Sequence, residues 1–166
     1  AIACDRILVN DEILKLGNQE WRVLDTPGHC TGHLCLISDA GLIAGDMVAG
    51  IGTILIPPND GDMNVYLEQL QRLKDMKPHL IFPSHGPVIP LPQKTLDYYI
   101  THRSNRHQRV LAAVSRHSSI KDIAIDAYSD SPDAHPILAE DQTLAHLLAL
   151  GRENKVVMKE HGWVIV

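Results

Sequence analysis

Apolar positions in the first third of the chain recur with the short period of β-structure. Ile7-Leu8-Val9 and Ile13-Leu14 flank the turn pair Asn10-Asp11, and Gly17-Asn18 marks a second turn. Trp21-Arg22-Val23-Leu24-Asp25 alternates as a strand does, and residues 34–38 and 42–44 continue the series. Residues 53–56 add a further apolar run before Pro57-Pro58. The period then lengthens. Val65, Leu67, Leu70, Leu73 and Met76 predict one broad face of a helix, with Glu68 and Arg72 spaced for an ion pair and Pro78 as its stop.

Residues 79–82 read as a short buried strand, 83–92 as an irregular loop, and 95 to about 117 as a long helix. Ser119 and Asp122 have capping-box spacing, and Ile120, Ile123, Ala124 and Ala127 follow at helical intervals. After a loop at 130–136, a leucine-rich helix runs from 137 to about 152. Residues 156–158 and 163–166 read as a small hairpin. Three helices and a hairpin predict a winged-helix-like module over 107–166, preceded by a β-rich domain over 1–106. The expected fold class is α/β.

Composition narrows the class without naming it. With 45% hydrophobic and 21% charged residues among 166, the chain is neither disordered, collagen-like nor a coiled coil. The longest apolar stretch, 41–58, is interrupted by Asp46 and four glycines, so no membrane span is expected. The first ten residues carry Asp5 and Arg6 without a long apolar core, and no signal peptide is visible in them. Three cysteines, Cys4, Cys30 and Cys35, form no CxxC pair and read as free thiols of a reducing, cytoplasmic setting. A net charge of -5 argues against a general nucleic-acid footprint. The ten histidines are the unusual feature of the composition.

Three short segments combine a metal-type donor with turn chemistry at a predicted strand end: Thr26-Pro27-Gly28-His29, Gly45-Asp46 and Ser84-His85-Gly86. Rigid scaffolds hold functional groups at such ends, and the adjacent glycine lets the backbone bend without a Cβ clash. Two imidazoles and a carboxylate suit a cation such as Zn²⁺. A carboxylate can also bridge two ions about 3.5–4 Å apart. Any one of these residues alone reads as an ordinary solvated loop side chain; the combination and its order carry the signal.

The strings TPGHCTGHLCL, IAGD and SHGPVI resemble the later metal motifs of the metallo-β-lactamase-fold hydrolases. Through GTILIPPNDGDMNVYLEQLQRL and YYITHRSNRHQRV the resemblance reaches the subgroup of β-lactamase-like protein 2, which carries a C-terminal winged helix. It implies that His29 is a ligand of a first metal site, Asp46 bridges both metals, and His85 is a ligand of the second. It also implies up to two zinc ions and a metal-held hydroxide that attacks an ester, thioester, lactone or phosphodiester of a small-molecule or nucleic-acid-like substrate. The family's first metal motif, His-x-His-x-Asp-His, does not occur in the chain. The resemblance therefore implies the C-terminal half of an αββα sandwich followed by the winged helix, with weak metal binding and trace activity from this chain alone. Half a sandwich leaves an apolar sheet face unpartnered, so a homo-oligomer or pairing with an N-terminal half is expected. The alternative is a non-catalytic winged-helix interaction protein with a vestigial β-rich half.

Other candidates are weaker. His33 reads as a supporting or structural residue rather than a ligand, and Cys30 as a small buried thiol. His102, Arg103, Arg106, His107 and Arg109 read as a solvated basic face, with a contact to a substrate anion as the alternative. Residues 107–166 carry six Lys/Arg against eight Asp/Glu, and Glu140 and Asp141 open the helix that would enter a DNA groove. Like charge there repels phosphate, so DNA is not the expected partner.

Overall fold

The structure is a computed structural model that describes residues 5–166; Cys4 lies outside the described residues. Its elements are β1 (Ile13–Leu16), β2 (Gln19–Asp25), β3 (Leu34–Ser38), β4 (Gly41–Gly45), α1 (Met63–Asp75), β5 (Ile81–Pro83), α2 (Pro92–Val114), α3 (Ile120–Ala127), α4 (Pro136–Arg152), β6 (Val156–Lys159) and β7 (Gly162–Ile165). The class is α/β, as the two periods predict. β1 to β4 form an antiparallel meander, and β5 returns through α1 to lie parallel to β4.

Strand alternation sorts the sheet into two faces. Leu24, Cys35, Leu42, Ala44 and Ile81 pack against Tyr66, Leu70 and Leu73 of α1 and Leu96 and Tyr99 of α2. The cross-strand register places Leu14, Trp21, Val23, Leu36, Ile43 and Phe82 together on the opposite face. A second cluster joins Val110, Ala113 and Val114 of α2 to Ile123, Leu147, Leu150, Val156 and Trp163. At about 1.5 Å per residue α2 is about 35 Å long, enough to serve both clusters. The position 106/107 falls inside it. α2, α3, α4 and the β6–β7 hairpin follow the predicted order. No helix among the described residues is long and apolar enough to cross a membrane.

Four expectations are corrected. Residues 7–9 form no strand, and Ile7 and Val9 are exposed. Residues 53–56 form none either, because side chains of α2 and α4 take up their backbone groups. Arg72 does not pair with Glu68; its Nη1 donates to the Asp25 carbonyl at 2.8 Å and to Gln69 Oε1 at 3.1 Å. An exposed i,i+4 pair is worth only about 0.3–0.5 kcal/mol, so a fixed carbonyl competes well for the guanidinium. Finally, Arg103 and Arg106 are buried rather than solvated. They reach the carbonyls of Ile54 and Ala127, and Arg106 adds Asp130 Oδ1 at 2.9 Å and the Tyr128 ring at 3.8 Å.

Candidate metal centre

The three predicted donors meet at one end of the sheet. His29 follows β2 on a turn that depends on Gly28, at φ 128°. A Cβ there would lie 2.5 Å from the Tyr66 backbone. The Gly28 carbonyl accepts from Asp62 N–H at 2.8 Å, docking the turn onto the start of α1. Asp46 follows β4 after Gly45, at φ 53°, where a Cβ would lie 2.6 Å from His33 Nε2. His85 lies beyond β5. Its carbonyl accepts from Gly50 N–H at 2.8 Å, while Ser84 N–H donates to Gly45 O at 3.1 Å. The His85 and Asp46 loops are thus laced together through backbone.

Asp46 occupies the middle. Its Oδ2 is 3.7 Å from His29 Nε2 and its Oδ1 is 3.4 Å from His85 Nε2. Each oxygen addresses a different imidazole. Among the described residues, Asp46 Oδ1 is buried without a hydrogen-bond partner. Both separations exceed the usual 2.7–3.2 Å of an N–H···O bond. They are near the spacing of about 3.4 Å between two donors that share one tetrahedral ion at about 2.0–2.2 Å. Oxygen and nitrogen donors in this arrangement fit a borderline divalent cation. Among the described residues, no three His, Cys, Asp or Glu side chains close around a single point. The donors pair as His29–Asp46 and Asp46–His85, with Asp46 common to both.

His33 supports this arrangement from behind. Its Nε2 accepts Asp46 N–H at 3.0 Å, so that lone pair is already engaged. The proton of the neutral ring then sits on Nδ1, 2.9 Å from Thr26 Oγ1. The Thr26 hydroxyl donates to Cys35 Sγ at 3.3 Å, and the thiol to Ala44 O at 3.4 Å. The chain of bonds leaves the Asp46 amide and returns to β4 two residues earlier. Burial lowers the pKa of His33 below 6.5, with repulsion from His29 next, which keeps the ring neutral as the network requires. Burial pushes the Cys35 thiol up to about 12, so it remains a hydrogen-bond donor. Cys30, half-buried rather than buried, is also raised, by burial first and by Asp60 and Asp46 second. A thiol held protonated is a poor ligand and a poor nucleophile.

The remaining support lies far away in sequence. His29 Nδ1 is 2.9 Å from the carbonyl of Leu55. The segment between Asp46 and Pro57 is tied down step by step. Tyr66 Oη donates to Met47 O at 2.6 Å, and Tyr99 Oη accepts from Ala49 N–H at 2.8 Å. Arg103 reaches Ile54 and Gln142 reaches Ile56. Local spacing flagged His29, Asp46 and His85, and left His33 as support. It missed Thr26, Cys35, Arg103 and Gln142, whose parts depend on contacts between distant segments.

A family model described as the metallo-β-lactamase superfamily matches residues 4–85, which include all three donors. β-Lactamase-like protein 2 homologues from Drosophila melanogaster and Caenorhabditis elegans are each 34% identical to the chain, over 140 and 115 residues. These matches cover 81% and 67% of the chain but 47% and 38% of the relatives, so the chain spans half or less of their length. A β-lactamase-domain protein from Burkholderia ambifaria superposes with a TM-score of 0.84 at 26% identity, over 97% of this chain and 52% of that one. The chain thus shares the fold of about half of that architecture. The chain belongs to the metallo-β-lactamase superfamily.

Proposed function

We propose that the chain contributes His29, Asp46 and His85 to a two-metal hydrolytic centre, with zinc as the metal and an ester, thioester, lactone or phosphodiester as the substrate. The observation that supports this most is Asp46, whose two oxygens face two different imidazole nitrogens while the buried one lacks a hydrogen bond among the described residues. Such ions supply Lewis acidity toward the scissile carbonyl or phosphoryl oxygen and make water more acidic. The protein's own part is to aim the donors. Gly28 and Gly45 permit the turns, His33 holds the Asp46 amide, and the laced loops fix His85.

Zinc takes four donors in closed sites, and three residues shared between two half-sites close neither. The chain alone therefore binds zinc weakly and hydrolyses at trace level. The helices and hairpin of 107–166 act as a winged-helix module that buttresses the site rather than reading DNA. The non-catalytic alternative, in which the β-rich half is vestigial, gives no reason for an organised Asp46 with an unpartnered buried oxygen.

Calorimetric titration with zinc tests the proposal, first on the chain and then on a protein that also supplies a His-x-His-x-Asp-His segment. Weak binding should become two tight equivalents, accompanied by hydrolysis of an ester reporter that His85→Ala abolishes. Two tight equivalents on the chain alone would overturn the shared-donor reading. A completed protein that holds no zinc would favour the interaction protein instead.

A further inference from the structure

Residues 53–56 have no neighbouring strand among the described residues, yet the backbone is pinned on both sides of Leu55. Gln142 of α4 donates from Nε2 to Ile56 O at 2.9 Å, and its Oε1 accepts Ile56 N–H at 3.1 Å. One side-chain amide thus makes both bonds that an adjacent strand would make. Arg103 of α2 donates through Nη2 to Ile54 O and through Nη1 to the same Gln142 Oε1 at 3.1 Å. Gln142 is 4% exposed and Arg103 2%. Between the two clamped residues, the Leu55 carbonyl faces His29 Nδ1 at 2.9 Å.

The burial of Arg103 needs an explanation. No carboxylate lies within ion-pair distance of it among the described residues. A buried cation is costly unless its donors are satisfied. Here both terminal nitrogens are satisfied, Nη2 by the backbone of the segment and Nη1 by the glutamine that also holds it, while Nε has no hydrogen-bond partner among the described residues. The pair therefore does more than fill space between helices: its polar atoms hold Ile54 and Ile56, and Leu55 between them touches a candidate donor of the metal centre.

That contact has a chemical consequence. A ring nitrogen facing a carbonyl must carry the proton, so the Leu55 carbonyl selects the Nδ1–H tautomer of His29. The lone pair is then on Nε2, the atom that faces Asp46 at 3.7 Å. A carbonyl in a loop can select a tautomer only if the carbonyl itself is fixed.

We infer that Gln142 and Arg103 are positioning residues for His29: by clamping Ile54 and Ile56 they fix the Leu55 carbonyl, and through it the tautomer and aim of His29 Nε2. The functional consequence rests on His29 being a metal ligand; the positioning itself involves only atoms of this chain. It also gives α2 and α4 a direct part in the centre, although they follow the motif-bearing region.

Nitrogen-15 spectra of the histidine side chains, on the full chain without metal at about pH 8, test the inference. Wild-type His29 should show the fixed Nδ1–H pattern. Gln142→Met keeps length and packing but neither hydrogen bond, and should move His29 toward the averaged pattern of two exchanging tautomers. His33, held separately by Thr26 and Asp46, should not move. Gln142→Glu retains the acceptor for Ile56 and Arg103 and should restore most of the wild-type pattern. In zinc titrations of the same proteins, Gln142→Met should weaken binding about 10–100-fold, the usual cost of losing an outer-shell partner. A folded Gln142→Met with unchanged His29 signals overturns the inference. A changed tautomer with unchanged zinc affinity supports the clamp and instead removes His29 as a ligand. Should Gln142→Met fail to fold, hydrogen exchange on the wild type decides. The Ile56 amide must exchange as slowly as core amides of α4 such as Leu147, and exchange at loop rates overturns the clamp.

Discussion

At the scale of single residues, the buried histidines set the acid limit of the fold. His146 on α4 is fully buried, its Nδ1 is 3.2 Å from His107 Nδ1, and its Nε2 has no hydrogen-bond partner among the described residues. Burial lowers its pKa well below 6.5, and Arg103, His107, Arg106 and His102 add repulsion. His102 and His107 are lowered as well, by burial first, with Glu153 at 3.3 Å partly opposing the shift at His107. In each case the folded state refuses a proton that the unfolded chain accepts. Below pH 6.5 the unfolded state therefore binds more protons, and stability falls as pH falls. A single histidine kept neutral contributes at most about 1.4 kcal/mol per pH unit to that slope. Urea midpoints should be nearly constant above about pH 7 and decline steadily toward pH 5. His146→Gln, neutral at every pH, should flatten the decline; a slope unchanged by it would exclude His146 as a source.

Among the elements, α1 depends most visibly on one residue. Asp62 caps it by accepting from Asn64 N–H at 3.0 Å and Val65 N–H at 3.3 Å, and its Oδ2 meets Arg152 of α4 at 2.9 Å. Loss of a cap costs about 1 kcal/mol, and a partly exposed ion pair adds at most about as much. Asp62→Ala should therefore destabilise by about 1–2 kcal/mol in urea unfolding. It should leave His29 in place, because the bond to Gly28 O uses the Asp62 backbone N–H. The cap of α3 was legible beforehand, since Ser119 and Asp122 are local partners and Ser119 Oγ accepts Asp122 N–H at 3.1 Å. The helices, the meander and the three loops that bring His29, Asp46 and His85 together are legible for the same reason: period, turn residue and motif are short-range signals. What was not legible depends on distance along the chain. Gln142 is 86 positions from Ile56, and nothing in a leucine-rich helix marks its one glutamine as the partner of a loop. Arg103 looked solvated because charge is normally excluded from cores; carbonyls left free by the absence of a strand at 53–56 reverse that preference. The apolar run 53–56 continues the strand pattern in sequence but forms no strand: Ile54 and Ile56 are buried, Leu55 is exposed, and side chains take the place of a neighbouring strand.

For the molecule as a whole, helices cover one face of the sheet, and the other, where Trp21 and Val23 are buried, is covered only in part by the described residues. Helices α1 and α2 cover the face that carries Leu24, Cys35, Leu42 and Ile81. On the other, Trp21, Ile43, Phe82, Pro83 and Ser84 line a shallow cleft of about 430 Å³, and Ile43 is 37% exposed. Leu14 and Leu36, next to Trp21 and Ile43 in the register, are only half-buried. Beyond them β1 ends the sheet among the described residues, with Ile13 and Leu16 exposed and one edge of its backbone without a strand partner among those residues. A contiguous apolar face of several hundred Å² is unusual on a soluble monomer and marks an interface. An unpaired edge beside it invites strand addition. Covering about 300 Å² of apolar surface at about 25 cal/mol per Å² is worth about 7 kcal/mol, as much as the stability of many whole domains. We therefore propose that the folded chain pairs across this face, with a second copy or with a polypeptide that supplies the other half of the sandwich. Light scattering after size exclusion should give a mass above that of one 18.4 kDa chain at micromolar concentration. Ile43→Glu places a charge on the exposed centre of the face without disturbing the helix-covered core, and should shift the species to monomer with little loss of unfolding free energy per chain. A wild-type chain that elutes as a monodisperse, cooperatively folding monomer would show that the face needs no partner.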